Sequence, residues 1–118
     1  MIFHITTRKD WEAAQTKSEY IAESLESEGF IHCSTLAQVL PVAEKYYKGQ
    51  SGLVLLEIEP TLLSAKLKWE PPSGGAPPPG VPAGDKFPHI YGPINLDAVV
   101  RVVDLASKPD GAFELSAS

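Results

Sequence analysis

GFIHCST, residues 29 to 35, combines a turn former, two bulky apolar residues and four chemically reactive side chains. Gly29 ends the preceding segment, and FIHCS then has the composition of a strand. Side chains alternate between the two faces of a strand, so His32 shares a face with Ser34 while Cys33 points to the other face. Ser34 or Thr35 is placed to cap a following helix. The stretch therefore predicts a strand and helix that present a histidine and a hydroxyl on one face.

The other two histidines of the chain lie in sequence of the same kind. In FHITT at the N-terminus the alternation groups His4 with Thr6, and in FPHIYGP it groups His89 with Tyr91. Each of the three histidines thus has a hydroxyl-bearing residue two positions later. We predict that three strands of one sheet direct these pairs toward a common cleft. The alternative is that each histidine is a structural residue bonded to nearby backbone.

Glu70 and Cys33 are the other reactive side chains that bear on a site near the histidines. Glu70 in KLKWEP follows Trp69 and opens onto a Pro/Gly-rich segment, so it is expected near the cleft; an exposed strand-end carboxylate is the alternative. Three imidazoles can hold zinc, but the chain has no short H-x-H or H-x-x-x-H pair, and no metal ligand is assigned. Cys33 lies on the opposite face from His32, cannot share a hydrogen bond with it, and is expected to be a small core residue.

Length and composition limit the classes of function. The 118 residues, 43% hydrophobic and 21% charged, fit one compact domain. The net charge of −5 and the scattered Lys and Arg residues disfavour strong nucleic-acid binding. No run is apolar enough for a membrane-spanning helix, and no membrane association is expected. Cys33 has no disulfide partner and the N-terminus does not resemble a secretory signal, so a cytoplasmic location is expected.

The order of predicted elements indicates an α+β fold with two main helices near the N-terminal half. Thr7 caps a helix over residues 8–17, and residues 18–28 are interpreted as a surface connection. A second helix begins after Thr35, is kinked or broken at Pro41, and ends at Gly49. The segments expected to form strands are IFHIT, FIHCS, LVLLEIE, KLKWEP, FPHIYG and LDAVVRVVDL.

Two segments are expected to lie outside this regular structure. Residues 71–86, PPSGGAPPPGVPAGDK, contain six prolines and four glycines, which predicts an extended, mobile loop. This loop either closes over a ligand or is a tolerated insertion. A single domain is expected over residues 1–105, and residues 106–118 are expected to be a flexible tail.

The segments FHITTRKDWEAA, SLESEGFIHCST, LVLLEIEP, KWEP and FPHIYGPINLDAVV together resemble the small bacterial family catalogued as domain of unknown function 952. The resemblance runs from about Ile2 to Leu105. It implies a fold similar to that of the ADP-ribosyltransferases, a split, two-sheet α+β architecture that grips NAD between its sheets. The activity of the family is not settled.

The resemblance to ADP-ribosyltransferases also implies roles for particular residues. In those enzymes a histidine on the first core strand, followed by Gly and by Ser or Thr, bonds the nicotinamide-side ribose. His4 and Thr6 would match this pair, although Ile5 replaces the glycine. Tyr91 and Glu70 are of the types that pack on nicotinamide and steer the nucleophile, but they lack the surrounding motifs. His32 with Ser34 would belong to this family's own pattern.

Two functions follow as expectations. The first is an NAD-dependent enzyme that transfers or hydrolyses ADP-ribose, and the second is a non-catalytic module that binds a nucleotide or another phosphorylated ligand. NAD is the expected cofactor, and a small-molecule nucleotide is the expected partner. The residues assigned to catalysis are His4, His32 and Glu70, and those assigned to ligand binding are Thr6, Ser34, His89 and Tyr91.

Overall fold

The structure is a computed structural model that describes residues 1–110 and 112–115. Within these residues the chain forms nine strands, three α-helices and two short 3-10 helices, at Pro60–Leu62 and Leu96–Ala98. The α+β class is confirmed. In chain order the main elements are β1 (Ile2–Thr7), α1 (Arg8–Lys17), β2 (Glu19–Tyr20), α2 (Glu23–Glu28), β3 (Ile31–His32), α3 (Leu36–Tyr46), β4 (Leu53–Ile58), β5 (Lys66–Glu70), β6 (Phe87–Tyr91), β7 (Ile94–Asn95), β8 (Val99–Ser107) and β9 (Phe113–Leu115).

The strands pair antiparallel in three sheets. Their orders are β1-β4-β8-β9, β3-β6-β5 and the two-stranded β2-β7. An antiparallel bridge between Phe3 and Ser34 joins the edge strand β1 to the end of β3. The two larger sheets therefore meet where β1 passes the GFIHCST segment. No helix in the described part of the chain is long and apolar enough to cross a membrane.

Both faces of the four-stranded sheet are buried along β1 and β4. On one face, Ile2, Val54 and Leu56 pack with Trp11 of α1 and with the core side of the three-stranded sheet. On the other face a second cluster packs against α3, and its buried members are Phe3, Ile5, Val39, Ala43, Leu53, Leu55, Leu105 and Phe113. The alternation in IFHIT is confirmed, but the face that carries His4 is as buried as its opposite, because α1 and β2 cover it.

His4 connects β1 to two neighbouring strands through hydrogen bonds. Its Nδ1 lies 2.6 Å from the carbonyl oxygen of His32, and its Nε2 lies 2.9 Å from the hydroxyl of Tyr20. A carbonyl only accepts, so Nδ1 carries the hydrogen and Nε2 of the neutral ring accepts from Tyr20. The Tyr20 oxygen is also 2.9 Å from Oγ1 of Thr6. Burial lowers the pKa of His4 from 6.5 to about 4 and raises the pKa of Tyr20 to about 12.

The helices agree with the sequence only in part. The helix expected over residues 8–17 is confirmed as α1, and the Thr7 side chain accepts from the backbone N–H of Asp10 at 3.0 Å. The break that was one of the two alternatives at Pro41 is wrong, because α3 runs through this residue without interruption. A kink there stays a prediction. A capping box formed by Thr35 and Gln38 secures the first turn of α3, and burial of its apolar face stabilises the rest.

Residues 18–28 differ from the surface connection expected there. They contain the strand β2 and the helix α2, so the chain has a third helix in addition to the two that were expected. Gly29 ends α2 with a φ of 89°, and its N–H lies 3.1 Å from the carbonyl oxygens of both Ser24 and Leu25. A glycine tolerates this left-handed conformation at little cost, so the turn into β3 is sharp. Local polarity concealed the helix, because five of its six residues are glutamates or serines and give no pattern of burial.

The Pro/Gly-rich segment 71–86 follows three successive turns. Backbone bonds link Gly75 to Pro72, Val81 to Pro78, and Asp85 to Pro82 at 3.1–3.2 Å. Pro78 and Val81 are buried, and the Gln38 amide of α3 donates to the Lys86 carbonyl at 3.0 Å. The loop therefore turns back on α3 rather than running extended; its mobility stays a prediction.

Part of the segment expected to be a tail belongs to the four-stranded sheet, and its flexibility stays a prediction. β8 continues to Ser107, and Phe113–Leu115 pairs with it as β9. Phe113 is 5% exposed and packs in the cluster beneath α3. A single aromatic residue in polar surroundings gave no strand periodicity, and its burial depends on a distant helix. Residues 111 and 116–118 of the expected tail lie outside the described residues.

Replacing Phe113 tests the contribution of β9 to the core. Phe113→Ala should lower the free energy of unfolding by about 3 kcal/mol, because it leaves a cavity against α3. Urea unfolding followed by circular dichroism measures the change. The neighbouring exposed Glu114→Ala is the control and should change stability by less than about 0.5 kcal/mol. Equal, small effects of the two substitutions would contradict the packing of β9.

The buried neutral state of His4 predicts a pH-dependent stability. Between pH 6.5 and about 4 the unfolded chain binds the proton that folded His4 excludes, so stability falls as pH is lowered through this window. Between pH 7 and pH 5 the loss from His4 should be about 2 kcal/mol. Chemical unfolding of the wild type and of His4→Gln at both pH values measures it.

The variant should lack this part of the pH dependence, whatever its stability at neutral pH. The matched control is His32→Gln, which replaces a half-exposed imidazole and should keep the loss that His4 causes. If His4→Gln retains the full pH dependence of the wild type, folded His4 is not held neutral by burial.

Candidate functional site

A cleft of about 480 Å³ lies where β1, the β3–β6 pair, α3 and the loop 71–86 meet. Its position follows from the bridge between Phe3 and Ser34, which brings the two larger sheets together, and from the loop that turns back on α3. Most of the walls are aromatic, aliphatic or proline side chains, and the polar lining comes from β1, α2, the β3–β6 pair and the loop. The lining residues are Phe3, His4, Ile5, Glu28, His32, Cys33, Ser34, Val42, Tyr46, Tyr47, Pro72, Ser73, Pro78, Phe87 and His89.

His32 and His89 form a pair in this cleft. They are directly opposite each other in the β3–β6 register, so their side chains leave the sheet on the same face. Their ring centroids are 5.5 Å apart, and the planes meet at 78°. His89 is 3% exposed, whereas 41% of the His32 side chain is exposed. The pair therefore has one deep imidazole and one at the mouth.

A carboxylate and a phenol hold the deep imidazole. Glu70 Oε1 lies 2.9 Å from Nδ1 of His89 and 2.5 Å from the Tyr91 hydroxyl. The hydrogen bond from Tyr91, and then that from His89, lowers the pKa of Glu70; the same carboxylate raises the pKa of Tyr91. An ionised carboxylate accepts only, so Nδ1 of His89 carries a hydrogen. Glu70 thus leaves Nε2 of His89 as the ring nitrogen that a ligand can reach.

A second carboxylate holds the outer imidazole. Glu28, the last residue of α2, places Oε2 2.9 Å from Nε2 of His32. Its other oxygen accepts from the Ser73 hydroxyl of the Pro/Gly-rich loop at 3.2 Å. The bond from His32 is the main cause of the lowered pKa of Glu28. Because Glu28 occupies Nε2, Nδ1 is the ring nitrogen of His32 that has no bond to this carboxylate.

Phe30 fixes the orientation of both rings. Its ring stacks on His89 with a centroid separation of 4.1 Å and a plane angle of 24°, and it meets His32 edge-on at 4.8 Å. The same ring lies 5.4 Å from that of Tyr91. Aromatic contacts of this kind limit ring rotation and add about 1 kcal/mol beyond burial.

The prediction that three strands of one sheet carry the histidine pairs is wrong, because β1 lies in the four-stranded sheet and β3 and β6 lie in the three-stranded sheet. The predicted site residues accordingly separate into two groups. His32, His89, Glu70 and Tyr91 come together on one face of the three-stranded sheet. Ser34 is buried in the cleft lining, and its backbone pairs with Phe3.

The second group contains His4 and Thr6, which are both hydrogen-bonded to the buried hydroxyl of Tyr20. His4 touches the cleft wall, yet both of its ring nitrogens are occupied by protein groups. Cys33 is confirmed as a buried core residue, and burial raises the pKa of its thiol.

Three residues of the site were not predicted from the sequence. Phe30 has the same parity as His32 and Ser34, so the alternation rule could have found it. Glu28 lies four residues before His32, but only the αL turn at Gly29 brings the two together. Tyr20 gave no signal, because its contact with His4 depends on how β2 packs. Within the described residues no three His, Cys, Asp or Glu side chains are grouped to hold a metal ion.

Similar structures support this arrangement of sheets and helices. The crystal structure of protein CC0527 from Caulobacter crescentus is 34% identical over 96% of this chain and 92% of its own, with a TM-score of 0.80. A double-mutant form of the same protein, also a crystal structure, matches at 33% identity over the same shares with a TM-score of 0.80. Its solution NMR structure matches at 36% identity over 94% and 89% of the two chains, with a TM-score of 0.75.

No curated protein matches the chain. The family described as "Protein of unknown function (DUF952)" matches residues 5–102, a stretch that includes β3, β6 and all the residues of the histidine pair and its carboxylates. The chain therefore belongs to the DUF952 family.

Proposed function

We propose that the cleft binds NAD or a related nucleotide through the His32–His89 pair. The observation that carries the proposal is the arrangement of this pair. Two imidazoles lie side by side on adjacent strands, each bound at one ring nitrogen by a carboxylate, with the other nitrogen left for a ligand. Imidazoles held in this way are fixed in tautomer and orientation, which is what a binding or acid–base site requires.

The shape and lining of the cleft agree with a small-molecule ligand. Its volume of about 480 Å³ lies within the usual range for ligand pockets. Phe87, Tyr46 and Tyr47 supply aromatic wall, and Pro72 and Pro78 supply further flat apolar surface. A planar base can pack on such walls while polar groups of the ligand reach the histidines.

The resemblance to ADP-ribosyltransferases supports NAD as the ligand, with a change in the residues assigned to it. The cleft lies at the junction of two sheets, as it would in a split fold of that type. By that resemblance His4 would match the ribose-binding histidine, but its nitrogens bond to His32 and Tyr20. In this proposal His4 supports β3 from behind, and His32 and His89 make the ligand contacts.

The paired imidazoles favour transfer or hydrolysis of ADP-ribose as the reaction. The bond between nicotinamide and ribose breaks, nicotinamide leaves with the bonding electrons, and a water or acceptor oxygen attacks the resulting oxocarbenium carbon. An imidazole with a free lone pair accepts the proton of the attacking group, and its carboxylate partner stabilises the imidazolium. His32 is suited to this role because it lies at the mouth of the cleft.

One observation favours the alternative, a binding module without catalysis. The Oε1 oxygen of Glu70 accepts from both Tyr91 and His89. A carboxylate engaged in this way orients a histidine and is poorly placed to steer a nucleophile. Ligand binding does not require that step, and the histidine pair serves it equally well.

Calorimetric titration with NAD tests the binding proposal. We expect saturable binding with a dissociation constant below about 1 mM, and His32→Gln and Glu70→Gln should each weaken it by about tenfold, because each removes or misorients an imidazole contact. Glu12→Gln, on the exposed surface of α1, is the matched control and should bind as the wild type does. Absence of binding at millimolar NAD in a folded wild-type protein would refute the proposal.

Nicotinamide release separates the enzyme from the binding module. If the cleft is catalytic, wild-type protein incubated with NAD should release nicotinamide, and His32→Gln should reduce the rate by at least about 100-fold. Chromatographic quantification of nicotinamide measures it. Binding without release above the uncatalysed background would identify a non-catalytic module.

A further inference from the structure

The chemistry of the cleft lining distinguishes which part of a nucleotide it can hold. No Lys or Arg side chain is among the described residues that line it, and its one charged side chain is the carboxylate of Glu28. Phosphates bind where cations or backbone N–H groups are collected. The negative charge of Glu28 opposes a diphosphate in this position.

The hydrogen-bonding roles of the two histidines point the same way. Nδ1 of His89 donates to Glu70 and Nε2 of His32 donates to Glu28, so the remaining nitrogen of each neutral ring carries a lone pair. Both are acceptors. An ionised phosphate also only accepts, and it gains no hydrogen bond from two such nitrogens. Ribose hydroxyls, amines and carboxamides donate, and they match.

The polar groups of the cleft lie at different depths, which indicates how a ligand would be oriented in it. His89 and Ser34 are 3% and 5% exposed, and both line the cleft, so its inner end is polar. Phe87 is buried beside them, and the outer walls carry Tyr46 and Pro72. No buried side-chain nitrogen or oxygen among the described residues lacks a hydrogen-bond partner, so polar atoms at this end that make no protein bond are open to the cleft. A donor-bearing group of a ligand can bond to them there.

We infer that the cleft is a nucleoside site: it takes an uncharged or cationic heteroaromatic base with its ribose, and leaves any phosphate outside. The donors of the base and ribose bond to Nε2 of His89, Nδ1 of His32 and the Ser34 hydroxyl, and the ring packs on the aromatic and proline walls. Lys68 lies outside the lining, with its Nζ 4.8 Å from the centroid of the Tyr91 ring. This inference deepens the proposed function and rests on the same histidine pair.

A series of probes on the full-length protein tests the inference. Nicotinamide riboside, adenosine, NAD and inorganic pyrophosphate are titrated separately by calorimetry, at low and at high salt. We expect at least one nucleoside to bind within about threefold of NAD, with little salt dependence, and pyrophosphate to show no binding at millimolar concentration. Binding of pyrophosphate, or of NAD with no nucleoside binding, would overturn the inference.

Two variants assign the contacts. His89→Gln should weaken nucleoside binding by about tenfold, because it removes the inner acceptor. Since His89 is buried, the fold of the His89→Gln variant is first checked by circular dichroism. Ser34→Ala provides a second, smaller change at the same end of the cleft. Lys68→Gln is the matched control and should leave binding unchanged. A loss of binding in Lys68→Gln but not in Ser34→Ala or His89→Gln would place a phosphate at the sheet and contradict the inference.

The same titrations separate failure of the inference from failure of the proposed function. Binding of a nucleoside without NAD would refute NAD as the ligand and keep the nucleoside site. Binding of NAD without any nucleoside would keep the proposed function and refute the inference. Binding of neither would refute both.

Discussion

The register between β3 and β6 is the constraint on which the site depends. It places His32 opposite His89, and it places Ile31 opposite Ile90 on the reverse face, where both isoleucines are fully buried. A shift of β3 by one residue would send His32 into the core and Ile31 into the cleft, so burial of the apolar pair selects the register. β3 has only two residues, and the bridge from Ser34 to Phe3 secures its end.

The two carboxylates fix the tautomer and the orientation of the paired imidazoles. A lone histidine on a strand can rotate its ring and exchange its tautomer, but Glu70 and Glu28 each occupy one nitrogen and fix which nitrogen remains. Phe30 then restricts rotation of both rings from one side. His4 acts one step further back, because it bonds the His32 carbonyl and stabilises the backbone from which the outer imidazole projects. Two of the three histidines thus present ring nitrogens to the cleft, and the third stabilises the strand that carries one of them.

Local signals predicted the parts of the fold that local interactions determine. α1 was predicted with its bounds because Thr7, Asp10 and Trp11 carry a cap and a buried face within a few residues. The alternation rule grouped each histidine with its hydroxyl correctly, since strand geometry alone sets parity. It could not tell that β1 is buried on both faces, which depends on α1 and Tyr20. Nor could it find β9, whose Phe113 packs beneath a helix about 70 residues earlier in the chain.

Imidazole nitrogen NMR on the protein labelled with ¹⁵N tests the central claim directly, because the chain has only three histidines. In their neutral forms His89 should carry its hydrogen on Nδ1 and His32 on Nε2. Addition of a nucleoside or NAD should change the ¹⁵N chemical shifts of Nε2 of His89 and Nδ1 of His32 and leave those of the His4 ring unchanged. The opposite tautomers, or ligand shifts confined to His4, would contradict the account.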